Sequence, residues 1–285
     1  MLDRTPRHAR DAVFKAALWL TAALVAGAFG LILLDLLWRG AATVNWDFLT
    51  SAPSNAGRSG GIAPILWSTL LILGVALVAA LPVGLACAVW LSEYLPAGSR
   101  RGRAVRISLD ALAGIPSIVF GLFGHAFFSV TLGLGFSILS GGLTLACMVL
   151  PIFIRTSEAG LAALSDDWRR QGAALGMTRA SVLWHVLLPA AMPAITAGAM
   201  LGVGRACAET AALIFTSGHV DRWPDSLSDS GRALSVHIYD LSMNVTGGDA
   251  SAYGSALVLM ALIALINAVT MSLSMRWTRH KDHAP

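Results

Sequence analysis

The chain has 285 residues, 56% of them hydrophobic and 13% charged, with a formal net charge of +4. That charged share is about half of what a soluble domain carries, and it is unevenly spread: no Asp, Glu, Lys or Arg occurs from Ser59 to Ser92, from Ala111 to Ile154 or from Ala250 to Met275. About 20 consecutive apolar residues let a helix cross a bilayer, so these stretches exclude a soluble globular domain and indicate an all-α polytopic membrane protein.

In chain order, a short basic segment (1–14) precedes six predicted transmembrane helices: Lys15–Trp38, Ala63–Leu91, Ile107–Thr131, Phe136–Ser157, Val182–Ser217 and Ala252–Arg276. The first is an uncleaved span. Its apolar run from Ala16 to Leu34 exceeds a signal-peptide core and reaches Asp35 and Trp38 without a small-x-small cleavage site. The first outer loop, 39–62, carries Pro53, Asn55, Gly57, Gly60 and Gly61, which predict irregular backbone. Spans three and four are separated by Leu132-Gly133-Leu134-Gly135, a turn without charge. The last outer loop, 218–251, is acidic, and its Leu234, Val236, Ile238 and Leu241 predict a short ordered piece on the bilayer surface or lining a vestibule. The tail, 277–285, is basic at Arg279 and Lys281.

Six spans place fifteen Lys and Arg residues on one side and four (Arg39, Arg58, Arg222 and Arg232) on the other. Positive charge marks the cytoplasmic side, so both termini, the segment 92–106 and the segment 158–181 are expected there. The basic balance is thus a topology signal and implies no nucleic-acid partner.

Within 158–181, Ser165 or Asp166 is placed to cap a helix whose first turn carries Asp166 and Asp167. Trp168 to Leu175 then read as two helical turns, Gly176 as a left-handed terminator, and Thr178 as the cap of the next helix. Pro189 and Pro193 follow inside the fifth span, where neighbours can satisfy the freed carbonyls. Such a capped element is either a docking helix or a plain connector. Further on, Arg205 and Glu209 lie four residues apart in an apolar run, one helical turn that puts both side chains on one face about 6 Å apart. Charges at bilayer depth cost roughly 3 kcal/mol or more and face a partner, a bundle interior or a water-filled path. The pair is therefore either a transport-path element or a structural lock between helices.

Several chemistries are excluded. The two lysines, Lys15 and Lys281, follow no Gly-rich loop, so a Walker A phosphate cradle cannot form and the chain is not expected to hydrolyse ATP by that route. No H-E-x-x-H, G-x-S-x-G or Cys/His cluster is present, and Cys87, Cys147 and Cys207 sit inside spans as small hydrophobes. His125, deep in a span, reads as a structural histidine or a proton relay.

The segment 158–217 resembles the permeases of type I ABC importers. Their cytoplasmic signature is E-A-A, three residues, Gly, nine residues, I-x-L-P; here Gly176 is followed at that distance by Val186, Leu188 and Pro189, while Arg170 stands at the Glu and Gln171-Gly172 replace the alanines. Gly114-Ile115-Pro116-Ser117-Ile118-Val119-Phe120-Gly121 resembles the third-span motif of phosphate permeases. Arg205-Ala206-Cys207-Ala208-Glu209-Thr210-Ala211-Ala212-Leu213-Ile214-Phe215-Thr216 resembles their R-x-x-G-E-T-A-P-L-L-F-T run, with Ala208 for Gly and Ala212 for Pro. Leu234-Ser235-Val236-His237-Ile238-Tyr239 is similar to the late outer loop of the PstA family, not of its partner PstC.

The resemblance covers about 62–275, nearly all of a permease domain taken as 15–276, and implies a type I importer fold with a coupling helix in 165–181. It implies an ATP-driven importer of inorganic phosphate in the bacterial inner membrane. The partners implied are a PstC-like permease, a homodimeric PstB-like ATPase that holds the ATP and magnesium, and a periplasmic PstS-like phosphate-binding protein. No cofactor is implied on this chain. Carried over residue by residue, Arg205, Glu209 and Thr210 would line the substrate pathway. Gly114, Pro116, Ser117 and Gly121 would let the third span kink and pack. Trp168, Arg170, Ala174, Leu175, Gly176, Leu188 and Pro189 would couple to the ATPase. A permease for phosphonate or phosphite, and a proton-coupled secondary transporter using His125 or Glu209, are the alternatives.

Overall fold

The computed structural model describes residues 5–96 and 98–279, and they are mostly helical. The extreme ends of the expected basic head and tail, 1–4 and 280–285, lie outside the described residues. The first helix, α1 (Thr5–Thr43), runs from the head through the first span and is exposed along its apolar length. It packs along the last helix, α12 (Asp249–Arg279), at Gly40, where a Cβ would stand 2.9 Å from Leu257 Cβ.

The first outer loop is more ordered than expected. Asn45 accepts a hydrogen bond from Phe48 N and caps a short helix, α2 (Trp46–Thr50). Two short strands, β1 (Pro53–Ser54) and β2 (Ser59–Gly60), then pair antiparallel across a turn in which Asn55, Ala56 and Gly57 are left-handed.

The bundle centre is three helices. The second span, α3 (Ala63–Val89), continues through a π turn to Tyr94, three residues past the expected end. It buries Ile72, Leu73, Ala76 and Ala80 against α6 (Ile138–Ala162), which contributes Leu145, Met148, Val149 and Phe153. Small residues bring these helices together: a Cβ on Gly142 or Gly84 would stand 2.5 Å from Val75 or Phe153. The third member, α9 (Leu188–Ala208), adds Ile195 and Val203. Its approach is α8 (Arg179–Val182) and a π turn, Leu183–Leu187, a widened backbone immediately before Pro189.

Two expected spans need correction. The third is not one helix from Ile107. An amphipathic helix, α4 (Arg100–Ala113), meets α5 (Ser117–Gly124, continued by a π turn to Thr131) at an angle of 100°. Pro116 disfavours helical backbone at Ile115 before it and is itself extended, at ψ 143°, so the chain turns at Gly114-Ile115-Pro116. Both parts pack on α6, α4 through the Arg106–Glu158 pair and α5 at Gly124, which faces Thr144. The expected turn at 132–135 is present, with Gly133 and Gly135 left-handed.

The fifth span ends at Ala208, not Ser217. Glu209 is extended (φ −77°, ψ 124°), and a four-residue helix, α10 (Ala211–Ile214), turns back against α5. Gly121 permits that approach, since a Cβ there would stand 2.9 Å from Ala212 Cα. The short piece of the last outer loop is a helix, α11 (Leu234–Met243), and it is buried instead of lying on a bilayer surface: Leu234, Ser235, Val236, His237 and Leu241 all face inward. Among the described residues, five helices have the length and hydropathy of a membrane span, six when the bent α4–α5 pair counts as one.

Candidate functional site

Arg205 lies in the last turn of α9 and Glu209 is the residue that ends it, so the two do not share one helical face as their spacing suggested. They nevertheless meet, with Arg205 Nε 3.8 Å from Glu209 Oε1. This is a loose contact: Arg205 Nε is buried and has no hydrogen-bond partner among the described residues. The carboxylate side chain is 13% exposed and the guanidinium 30%.

Around the pair stand three other elements. Ser117, the first residue of α5, lies beside the Glu209 carboxylate. The 8-residue α5 and its 7-residue π turn set Ser117 and Glu209 about 22 Å from the turn at 132–135. Thr210 precedes α10, and its carbonyl accepts from Leu213 N and Ile214 N. Ser235 of α11 donates to the Glu209 main-chain carbonyl at 2.6 Å. Gly114 and Pro116 form the elbow before α5, and Gly121 the contact with α10. His125 stacks at 5.3 Å on Phe136, and its buried Nδ1 has no partner within the chain.

Beyond the end of α6, α7 (Asp166–Ala174) forms as its caps predict. The Ser165 hydroxyl accepts from Asp167 N, and Gly176 is left-handed at φ 73°. Met177 N donates to Gly172 O and Gly176 N to Ala173 O, the paired bonds of a Schellman terminator. Thr178 then caps α8. Leu175 is 80% exposed and Trp168 also projects from the protein. Ala174 is exposed, and Arg170 reaches only Asp167 on its own helix, at 3.1 Å. Leu188 is buried in the bundle core, and Pro189 begins α9, so neither shares that exposed surface.

Two anchoring networks were not foreseen. Arg169 grips Glu93 at the end of α3 through Nε and Nη2, at 2.9 and 2.7 Å, and reaches the Leu161 and Leu164 carbonyls. Donating to the Glu93 carboxylate holds the guanidinium above its ordinary pKa. Glu158, 6% exposed, joins Arg106 of α4 to Arg155, which also binds Asp110. The signal for both was a carboxylate at the end of an apolar run, where it must find a cation. Ser235 carried no such signal.

A 330 Å³ cleft lies behind α7, lined by Glu93, Tyr94, Arg169 and Arg179 over Val182 and Leu187.

Residues 80–279 match the family described as "Binding-protein-dependent transport system inner membrane component". Over 271 residues the chain is 29% identical to the probable ABC transporter permease protein YqgI of Bacillus subtilis, covering 90% of this chain and 89% of that protein. It is 32% identical over 225 residues to the phosphate transport system permease protein PstA 1 of Mycobacterium tuberculosis, covering 78% and 73%. Among solved structures, a bacterial alginate ABC transporter in complex with an alginate pentasaccharide-bound periplasmic protein superposes with a TM-score of 0.70 at 15% identity, covering 97% of this chain and 99% of that one. A chain of the inward-facing MetNI methionine ABC transporter gives 0.62 at 20% identity, covering 76% and 96%. Both have the type I importer permease fold that α3 to α12 build here. The chain belongs to the binding-protein-dependent transport system inner membrane component family, which also holds the PstA permease subunits it matches.

Proposed function

We propose that this chain is a permease subunit of an ATP-driven importer of inorganic phosphate. The observation that carries the substrate is Arg205: a guanidinium deep in the bilayer whose Nε has no partner and whose carboxylate neighbour stands off at 3.8 Å. Fixed positive charge in a low dielectric attracts an oxyanion far more strongly than it does in water, and the planar fork suits phosphate geometry. Glu209, held away by its extended backbone, balances the charge when the path is empty. Ser117 and Thr210 complete a polar patch for an anion in transit. The PstA relatives support phosphate as that anion.

Such a chain works with partners: a homologous permease, a homodimeric cytoplasmic ATPase that carries ATP and magnesium, and a periplasmic phosphate-binding protein. In the cytoplasmic membrane, with both termini inside, Trp168, Ala174 and Leu175 present the docking surface to the ATPase. Gly176 fixes the angle at which α7 leaves the bundle.

Uptake of labelled phosphate by cells with and without this chain tests the reading, with phosphonate and phosphite as competitors. Expected is uptake that requires the chain and resists both competitors; stronger competition by either reassigns the oxyanion. Arg205→Lys should recover only part of the rate lost in Arg205→Gln, since an ammonium lacks the fork. Replacing Gly176 by Val should abolish uptake while insertion persists, because a left-handed residue with a branched side chain costs about 1–3 kcal/mol. Normal uptake in that variant would reduce 165–181 to a connector.

A further inference from the structure

The outer helix α11 reaches into the membrane site. Its first amide, Leu234 N, donates to Thr69 Oγ1 of α3 at 2.9 Å, and the Thr69 hydroxyl is in turn held on the Ile65 carbonyl at 2.7 Å. One residue later, Ser235 Oγ donates to the Glu209 main-chain oxygen. Leu234 and Val236 on either side are fully buried, so this end of α11 is wedged between α3 and the end of α9.

The carbonyl that Ser235 holds is a special one. Where α9 stops, its last carbonyls lose their intrahelical donors and need replacements, and burial makes an unpaired one costly. Ser235 supplies a donor to the residue that leaves the helix. Without that hydroxyl, the favourable repair is for Glu209 to join the helix, because extending an existing helix is easier than nucleating one. Glu209 would then stand one true helical turn from Arg205, in the geometry in which opposite charges close. The guanidinium would be occupied by its own neighbour.

We propose that Ser235 is a positioning residue: by holding the Glu209 carbonyl in its non-helical conformation, it keeps the carboxylate off Arg205 and the guanidinium open to the travelling anion. Thr69 is its anchor on α3. The position of an outer-loop helix therefore sets the charge available inside the membrane. This rests on Arg205 being the pathway cation.

The test uses the assembled importer and measures maximal phosphate uptake, with the amount of assembled complex read in parallel. Ser235→Ala should lower the rate per complex about fivefold, the rate equivalent of one net hydrogen bond. Ser235→Thr, which keeps the hydroxyl, should return it to within about twofold of wild type. An unchanged rate in Ser235→Ala overturns the proposal, and so does a loss that tracks reduced assembly or that Thr fails to restore. An Arg205→Gln arm separates the two levels. If that variant transports normally, the pathway role of Arg205 fails, whatever Ser235 does; if it is inactive while Ser235→Ala is normal, only the positioning role fails.

Discussion

Two regions of the helical bundle hold ion pairs of different geometry. Around α7 and the end of α6, Arg169 clasps Glu93 with two nitrogens under 3 Å, and Glu158 takes a cation on each oxygen. At the end of α9, Arg205 and Glu209 stand 3.8 Å apart, with Arg205 Nε unpartnered among the described residues. A pair that exists to hold helices together saturates its hydrogen bonds, because each unsatisfied buried group costs free energy. A pair left open in a medium where openness is most expensive is reserved for something else. The contrast separates anchor from site without reference to any ligand.

That contrast can be broken at its strong end first. Arg169→Ala leaves Glu93 with only Ser92 beside it in a half-buried position, and should destabilise the protein by about 3 kcal/mol, seen as lost expression or a lower melting temperature of the purified protein. A stable, active Arg169→Ala protein would show that a closed pair is dispensable.

At the open end the effect should move from folding to transport. Arg205→Gln should leave assembly intact, because no hydrogen bond joins the pair and Ser117 stays beside the Glu209 carboxylate, yet slow uptake by about ten- to a hundredfold, the worth of a hydrogen bond to a charged group. Combining it with Glu209→Gln discriminates further. If the double variant regains full uptake, the pair is a lock and the pathway role is lost.

A smaller effect concerns the outer loop. Burial, together with the nearby Arg232, lowers the pKa of His237 from 6.5 to about 4, against the opposing pull of Asp221 and Asp240. Arg232 Nη1 approaches His237 Nδ1 at 3.4 Å, which leaves the proton of the neutral ring on Nε2. A depressed folded pKa means that the neutral ring stabilises the fold above pH 6.5 and that this stability drains away as pH falls toward 4. Melting temperature should decline across that window, and His237→Gln should flatten the decline. Least of all, Arg222→Ala removes exposed contacts to Asp225 and Asp229 and should change stability by under about 1 kcal/mol.

Local rules foresaw what local rules control. The Ser165 cap, the left-handed Gly176 and the Thr178 cap stand as read, because each depends on residues within one turn of itself. The six apolar stretches likewise declared themselves, as the bilayer acts on every residue of a span alike. The break after Ala208 did not. Ala208-Glu209-Thr210-Ala211 contains no Gly or Pro, and the chain leaves its helix there where Ser235, 26 residues on, holds the carbonyl and Gly121 admits α10. The elbow at Gly114-Ile115-Pro116 was visible as a kink but not as a turn of 100°, since a proline marks where a helix yields and its neighbours decide by how much. So the candidate pair was found from sequence for a reason that is only partly right: one helical turn of spacing suggested contact, and a broken helix supplies it.

The elbow also has an electrical consequence. Moving a charge across the membrane potential involves about 2.3 kcal/mol per 100 mV whatever route it takes, but the route decides where that work is done. Because α4 meets the segment from Ser117 to Thr131 at 100°, that segment of about 22 Å is shorter than a full hydrocarbon core of about 30 Å, and a charge passing along it alone meets less than the full potential drop.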